Sequence, residues 1–108
     1  MSMEKHNRHH DLSEIKRAFD NSNNLGIANI VTLSARNGAR ELKLSDEDVV
    51  AVIQNLTFKD FYKSMTSEKD HTIWQDVYKP TYLDKELYVK FTRDENDLFY
   101  VLISFKKK

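Results

Sequence analysis

Between Asp60 and Pro80 the chain reads DFYKSMTSEKDHTIWQDVYKP, where large rings and hydrogen-bonding heads mix as they do nowhere upstream. Phe61, Tyr62, Trp74 and Tyr78 supply the rings, and Lys63, His71, Gln75 and Lys79 supply the heads. Such a mixture suits a half-buried sheet with one face on a core and the other toward a ligand. By residue chemistry a nucleic acid fits that ligand, with lysines for phosphates and aromatics for bases. Each residue also has a plainer reading. Phe61, Trp74 and Tyr78 suit a core better than a stacking platform. His71 is a general base by chemistry but reads as structural. Taken alone, Lys63 and Lys106 are ordinary surface lysines, and Tyr88 is as well explained as a half-buried strand tyrosine.

What the sequence lacks narrows the chemistry further. It shows no paired carboxylates, no Ser/His/Asp arrangement and no glycine-rich phosphate loop, with only two glycines in all. That points away from glycosidases, triad hydrolases and nucleotide-dependent enzymes. His6, His9 and His10 stand in a polar start that enforces no ligand geometry, so a solvated terminus explains them better than a metal site. The acids Asp46, Glu47 and Asp48 read as a helix N-terminus and not as metal ligands. The absence of cysteine excludes a disulfide scaffold and thiolate sites and fits a reducing cytosol.

At 108 residues the chain is expected to be one domain with a modest core, its segment 1–10 flexible. Lys and Arg number 17 and so do Asp and Glu, and neither half of the chain is basic. Any phosphate affinity must therefore come from local placement. No apolar run approaches the roughly 20 residues that span a bilayer, and the polar start does not read as a signal peptide. A cytoplasmic protein without a membrane partner is expected.

The elements that must position these residues divide into helices first and strands after. Asp11 caps a helix with a Leu12, Ile15, Phe19 stripe, and Asn21 to Gly26 ends it. Ile27 to Leu33 is expected as a short edge strand. Thr32 or Ser34 caps a second helix to about Leu42, despite Asn37-Gly38 in its middle. Ser45 starts a third whose face of Val49, Val50, Val52, Ile53 and Leu56 should lie on a sheet. After Leu56 the period changes, and Phe61–Met65, Thr72–Tyr78, Glu86–Thr92 and Phe99–Phe105 read as strands. Leu87, Val89 and Phe91 share one side, leaving Tyr88, Lys90 and Thr92 on the other. In the last strand Phe99, Val101, Ile103 and Phe105 are expected on one face, with Lys106 opposite. Arg93 to Asp97 forms a hydrophilic hairpin loop. Alternation is less clean where Lys63 shares parity with Phe61 and Met65, and Gln75 with Ile73 and Val77. The class is α+β, an antiparallel sheet covered by helices on one face.

DFYKSMT (Asp60–Thr66), DHTIWQDVYKP (Asp70–Pro80), LYVKF (Leu87–Phe91) and VLISFKKK (Val101–Lys108) together resemble the motility quorum-sensing regulator toxins. The resemblance covers almost the whole chain and is most specific from Asp60 to Pro80. It implies a RelE-like α+β fold and a ribosome-independent mRNA endonuclease that needs no cofactor or metal. It also implies a zinc-binding, DNA-binding antitoxin partner of the MqsA type, and cleavage at GC-containing trinucleotides such as GCU. The family's active-site positions fall on Lys63, Gln75, Tyr88 and Lys106. The hairpin at Arg93 to Asp97 is longer than the family pattern, and Ile27 to Lys43 departs most, so no antitoxin contact carries over there.

RNA can be cut without metal, because its 2′-hydroxyl can attack the adjacent phosphorus once that attack is aligned and the phosphate charge is stabilised. In that scheme Lys63 and Lys106 stabilise the phosphate, and one of them with a lowered pKa exchanges a proton. Tyr88 exchanges a proton or stacks on a base, and Gln75 orients the phosphate or ribose. The competing readings are a non-catalytic RNA- or antitoxin-binding module and a ribosome-dependent nuclease. The second usually carries far more basic surface than a chain of zero net charge.

Overall fold

The structure is a computed structural model that describes residues 3–20 and 28–108. The expected stop at Asn21 to Gly26 and the first residue of the expected Ile27 strand lie outside them. The elements run β1 (Glu4–Lys5), α1 (Leu12–Ala18), a 3-10 turn (Ala28–Ile30), α2 (Leu33–Glu41), α3 (Asp46–Gln54) and a second 3-10 turn (Phe58–Asp60). Then follow β2 (Phe61–Thr66), β3 (Trp74–Tyr78), β4 (Thr81–Tyr82), β5 (Lys85–Arg93) and β6 (Tyr100–Lys107). The class is α+β.

Each helix starts where a side chain satisfies an otherwise orphaned N–H. The Asp11 carboxylate accepts from Ser13 N–H at 2.8 Å, and the Thr32 hydroxyl from Ala35 N–H at 3.2 Å. Ser45 and Asp48 form a reciprocal capping box, each such cap being worth about 1 kcal/mol. Glu14 plays no part in a cap; its carboxylate accepts the Tyr100 hydroxyl at 2.8 Å. The apolar faces of all three helices meet one side of the sheet. Ile15, Phe19, Ile53 and Leu56 are fully buried with Leu87, Val89, Phe91, Leu102 and Phe105. Phe19 packs edge-on to Phe91, and Tyr78 meets both Phe61 and Phe91. Phe61 and Tyr78 are thus core residues, as residue chemistry suggests.

The sheet is antiparallel in the order β1-β2-β3-β5, with β4 and β6 both pairing β5. Two expectations need correcting. The described part of the expected Ile27–Leu33 strand is no edge strand: Ala28–Ile30 is a 3-10 turn, and among the described residues of the segment only Val31 bridges, in parallel, to Leu102. This segment and α2 instead cover the free edge of β6, where an open row of backbone groups would otherwise stand exposed. Thr32 N–H donates to the Leu102 carbonyl at 3.0 Å. Gly38 then lies so close to β6 that a Cβ there would be 1.9 Å from the Phe105 carbonyl oxygen. The glycine that weakens the helix in sequence is what lets the helix approach the strand.

The second correction concerns β6. Its core residues are Tyr100, Leu102 and Phe105, while Val101 and Ile103 are only half-buried and Phe99 is exposed. Lys90 pairs with Ser104 but Phe91 with Leu102, so Ile103 is an extra residue that reverses the alternation. Lys106, beyond this bulge, keeps its expected side. In the segment expected to be flexible, Glu4 and Lys5 pair with Met65 and Ser64. Two backbone N–H groups, those of His9 and His10, donate to the buried Asp76 carboxylate at 2.8–3.2 Å. The Ser64 hydroxyl adds a third donor to that carboxylate at 2.6 Å.

Candidate functional site

The face of the sheet away from the helices carries the chemistry. A second bulge, at Tyr62, explains the poor alternation of β2: Phe61 pairs with Tyr78 and Lys63 with Val77, two residues against one step. Phe61 therefore joins the core while Lys63 turns to the open face. Cross-strand partners share a face, so the row Lys63, Val77, Lys90, Ser104 crosses the open side of β2, β3, β5 and β6. Val77 is fully buried yet lies outside the main core cluster, so it forms the floor between the two lysines. Gln75, paired with Met65, is two residues along β3 on that same face. Tyr88 and Lys106 are direct partners two residues from Lys90 and Ser104.

All four residues expected at the site thus stand on one face. Gln75 lies on one side of the Lys63–Ser104 row, and Tyr88 and Lys106 lie on the other. With strands about 4.8 Å apart and residues about 3.4 Å apart along them, their backbones span up to about 17 Å, a gap that long side chains narrow. The Lys106 ammonium lies 5.1 Å from the centre of the Tyr88 ring. Lys63 is paired with Glu4, delivered by β1. The hydrogen bond to Glu4 raises the Lys63 pKa above its ordinary value, with burial opposing. Lys63 is therefore not the one of the two lysines expected to have a lowered pKa. The phenol of Tyr88 is pushed up, first by burial, with Lys63 pulling the other way, so at neutral pH it holds its proton.

Other residues singled out in sequence play different parts. His71 is exposed on the turn between β2 and β3. The His9 ring stacks on Trp74 with centroids 5.3 Å apart, and the Lys5 ammonium sits 4.2 Å from the Trp74 ring. Trp74 thus anchors the N-terminal segment. His10 Nε2 lies 2.9 Å from the Trp74 carbonyl. Burial lowers the His9 pKa, with Lys5 and His10 adding to it and Asp76 opposing. Among the described residues no group of three or more His, Cys, Asp or Glu is arranged to hold a metal. Asp48 caps α3 and accepts the Tyr82 hydroxyl at 2.8 Å, which accounts for one member of the acidic cluster structurally.

Two residues of this face escape a sequence reading centred on Asp60 to Pro80. Glu4 sits in a two-residue strand without a periodic signal. Lys90 does carry one, since it shares the parity of Tyr88. Its ammonium is 5.6 Å from the Tyr88 ring, on which Lys106 also bears.

The mRNA interferase toxin MqsR of Escherichia coli (strain K12) is 42% identical over 106 residues, covering 98% of this chain and 100% of that protein. The family model described as "Motility quorum-sensing regulator, toxin of MqsA" matches residues 7–107, which takes in β2, β3, β5, β6 and all four candidate residues. The chain belongs to the motility quorum-sensing regulator toxin family.

Proposed function

We propose that this protein is the toxin of a toxin–antitoxin pair and an endoribonuclease that cuts mRNA without ribosomes or metal. The observation that carries this reading is the meeting of Lys63, Gln75, Tyr88 and Lys106 on one open face of the sheet. Kinship with an mRNA interferase toxin supports it. The fold is read as RelE-like, and the substrate sites as GC-containing trinucleotides of the GCU type. The partner is a zinc-binding, DNA-binding antitoxin of the MqsA kind, and the compartment is the cytoplasm; no helix among the described residues is long and apolar enough to cross a membrane.

The chemistry is attack of a 2′-hydroxyl on the adjacent phosphorus, giving a 2′,3′-cyclic phosphate and a 5′-hydroxyl. Lys63, held cationic by Glu4, and Lys106 stabilise the charge that builds on the phosphate. Tyr88, which keeps its proton, donates it to the departing 5′-oxygen. Gln75 orients the phosphate or ribose from the neighbouring strand. The test is incubation of purified protein with a defined mRNA in EDTA, without ribosomes, beside Lys63→Ala and Lys106→Ala. Discrete cuts by the parent, slowed about 10²–10⁴-fold in the variants, are expected. A folded parent that leaves the RNA intact overturns the reading, and cuts restored by added ribosomes would replace it with a ribosome-dependent nuclease.

A further inference from the structure

We propose that Lys90 is the general base of the cleavage, the residue that takes the proton from the attacking 2′-hydroxyl. This deepens the endoribonuclease reading and rests on it. Geometry is the first support. Lys90 stands in the central row of the open face, two strands from Lys63 across Val77, and adjoins the Tyr88–Lys106 pair. The ammonium groups of Lys90 and Lys106 approach the same Tyr88 ring at 5.6 and 5.1 Å. Lys90 therefore stands, with Tyr88, on the stretch of the open face between Lys63 and Lys106.

Pairing is the second support. Lys63 has Glu4 as its counter-ion, whereas among the described residues no carboxylate lies within ion-pair distance of Lys90. A half-buried ammonium facing two other ammoniums is a poor structural choice, because desolvation and like charge both work against it. The charged and titratable groups that face it are Lys63 from β2, Lys106 from β6, Tyr88 on its own strand, and Glu68 just beyond β2. Burial first, then Lys106 and Lys63, lower the Lys90 pKa, and Glu68 opposes them. Lys63 moves the other way, through its bond to Glu4. Neighbouring lysines driven apart in this manner divide the labour: one stays a cation and the other exchanges a proton.

The step balances. The 2′-hydroxyl proton passes to the neutral Lys90 amine as the 2′-oxygen bonds to phosphorus. The bond from phosphorus to the 5′-oxygen breaks, and the Tyr88 hydroxyl protonates that oxygen. Proton return from Lys90 to Tyr88 through solvent resets the site.

The test compares parent, Lys90→Met and Lys90→Arg on a defined mRNA in EDTA across pH, with thermal unfolding of each protein. The parent rate should rise with pH and level off below the ordinary lysine value of about 10.4. Lys90→Met should cut at least about 10²-fold more slowly and lose that levelling limb. It should also melt higher at neutral pH. A lysine whose folded pKa is depressed binds more protons when unfolded, so below that range it subtracts from stability, and removing it gives stability back. Lys90→Arg, which keeps charge and length but holds its proton, should be equally slow, and it decides the matter if Lys90→Met fails to fold. Parent-like cutting by Lys90→Met or Lys90→Arg overturns the proposal while leaving the endoribonuclease reading intact. A parent that does not cut removes both.

Discussion

Tyr88 can serve as a proton donor only while its phenol stays protonated, and burial on the open face holds its pKa above the ordinary tyrosine value despite nearby Lys63. Tyr88→Phe keeps the ring that Lys90 and Lys106 approach and removes only the hydroxyl. Its cleavage rate should fall about 10²-fold, while binding of an RNA lacking the attacking 2′-hydroxyl stays near that of the parent. Parent-like turnover would make Tyr88 a stacking platform and leave another group to protonate the 5′-oxygen. At this scale the sequence was only partly legible. Residue chemistry alone offered His71, which lies exposed on a turn, as a general base that reads as structural, and it had no means to single out Gln75. The family resemblance supplied Lys63, Gln75, Tyr88 and Lys106 as a set. Lys90 was legible by its shared parity with Tyr88, but parity does not tell a solvated lysine from one crowded by two others.

Elements were more legible than residues, because helix caps and apolar stripes are local. Asp11, Thr32 and Ser45 each start a helix where the sequence placed it. The strands of two residues, β1 and β4, were missed because so short a run has no period. The turn between β4 and β5 carries Leu83 and Asp84, both at positive φ, in place of the usual Asn-Gly signal. Both bulges were invisible to period-two reading, since an extra residue is defined only against its partner strand. Two substitutions probe how these elements are held. Gly38→Ala puts a methyl into the Phe105 carbonyl, so α2 must shift off β6. A loss of about 2 kcal/mol or more is expected in denaturant unfolding, although alanine is the better helix former. Stabilisation would mean that α2 does not approach the strand so closely. Asp76→Ala leaves the Ser64 hydroxyl and the amides of His9 and His10 without their common acceptor. Roughly 3 kcal/mol should be lost, with faster tryptic cutting after Lys5 and Arg8 as the segment undocks. Unchanged protection there would show that stacking of His9 and Lys5 on Trp74 holds the segment without Asp76.

For the molecule as a whole, the balanced composition and the lysine-rich open face make opposite predictions about RNA. Net charge gives no long-range pull toward a polyanion, since acidic and basic residues are equal in number. The fold nevertheless gathers Lys63 and Lys106 on one face. Nearby, the Lys79 ammonium is 3.4 Å from the centre of the Tyr62 ring. Three lysines meeting phosphates should release counter-ions according to their own number, whatever the rest of the surface carries. Affinity for an RNA lacking the attacking 2′-hydroxyl should therefore fall with salt at a log–log slope of roughly −2, about −0.7 per lysine. Lys79→Ala should flatten it by about 0.7, whereas replacing Lys16 on α1, a helix packed on the opposite side of the sheet, should not. A slope near zero would mean that stacking and hydrogen bonds hold the RNA, leaving Lys63 and Lys106 to act only in the transition state. Composition could not decide between these outcomes, because sheet register gathers the lysines and a residue count records none of it.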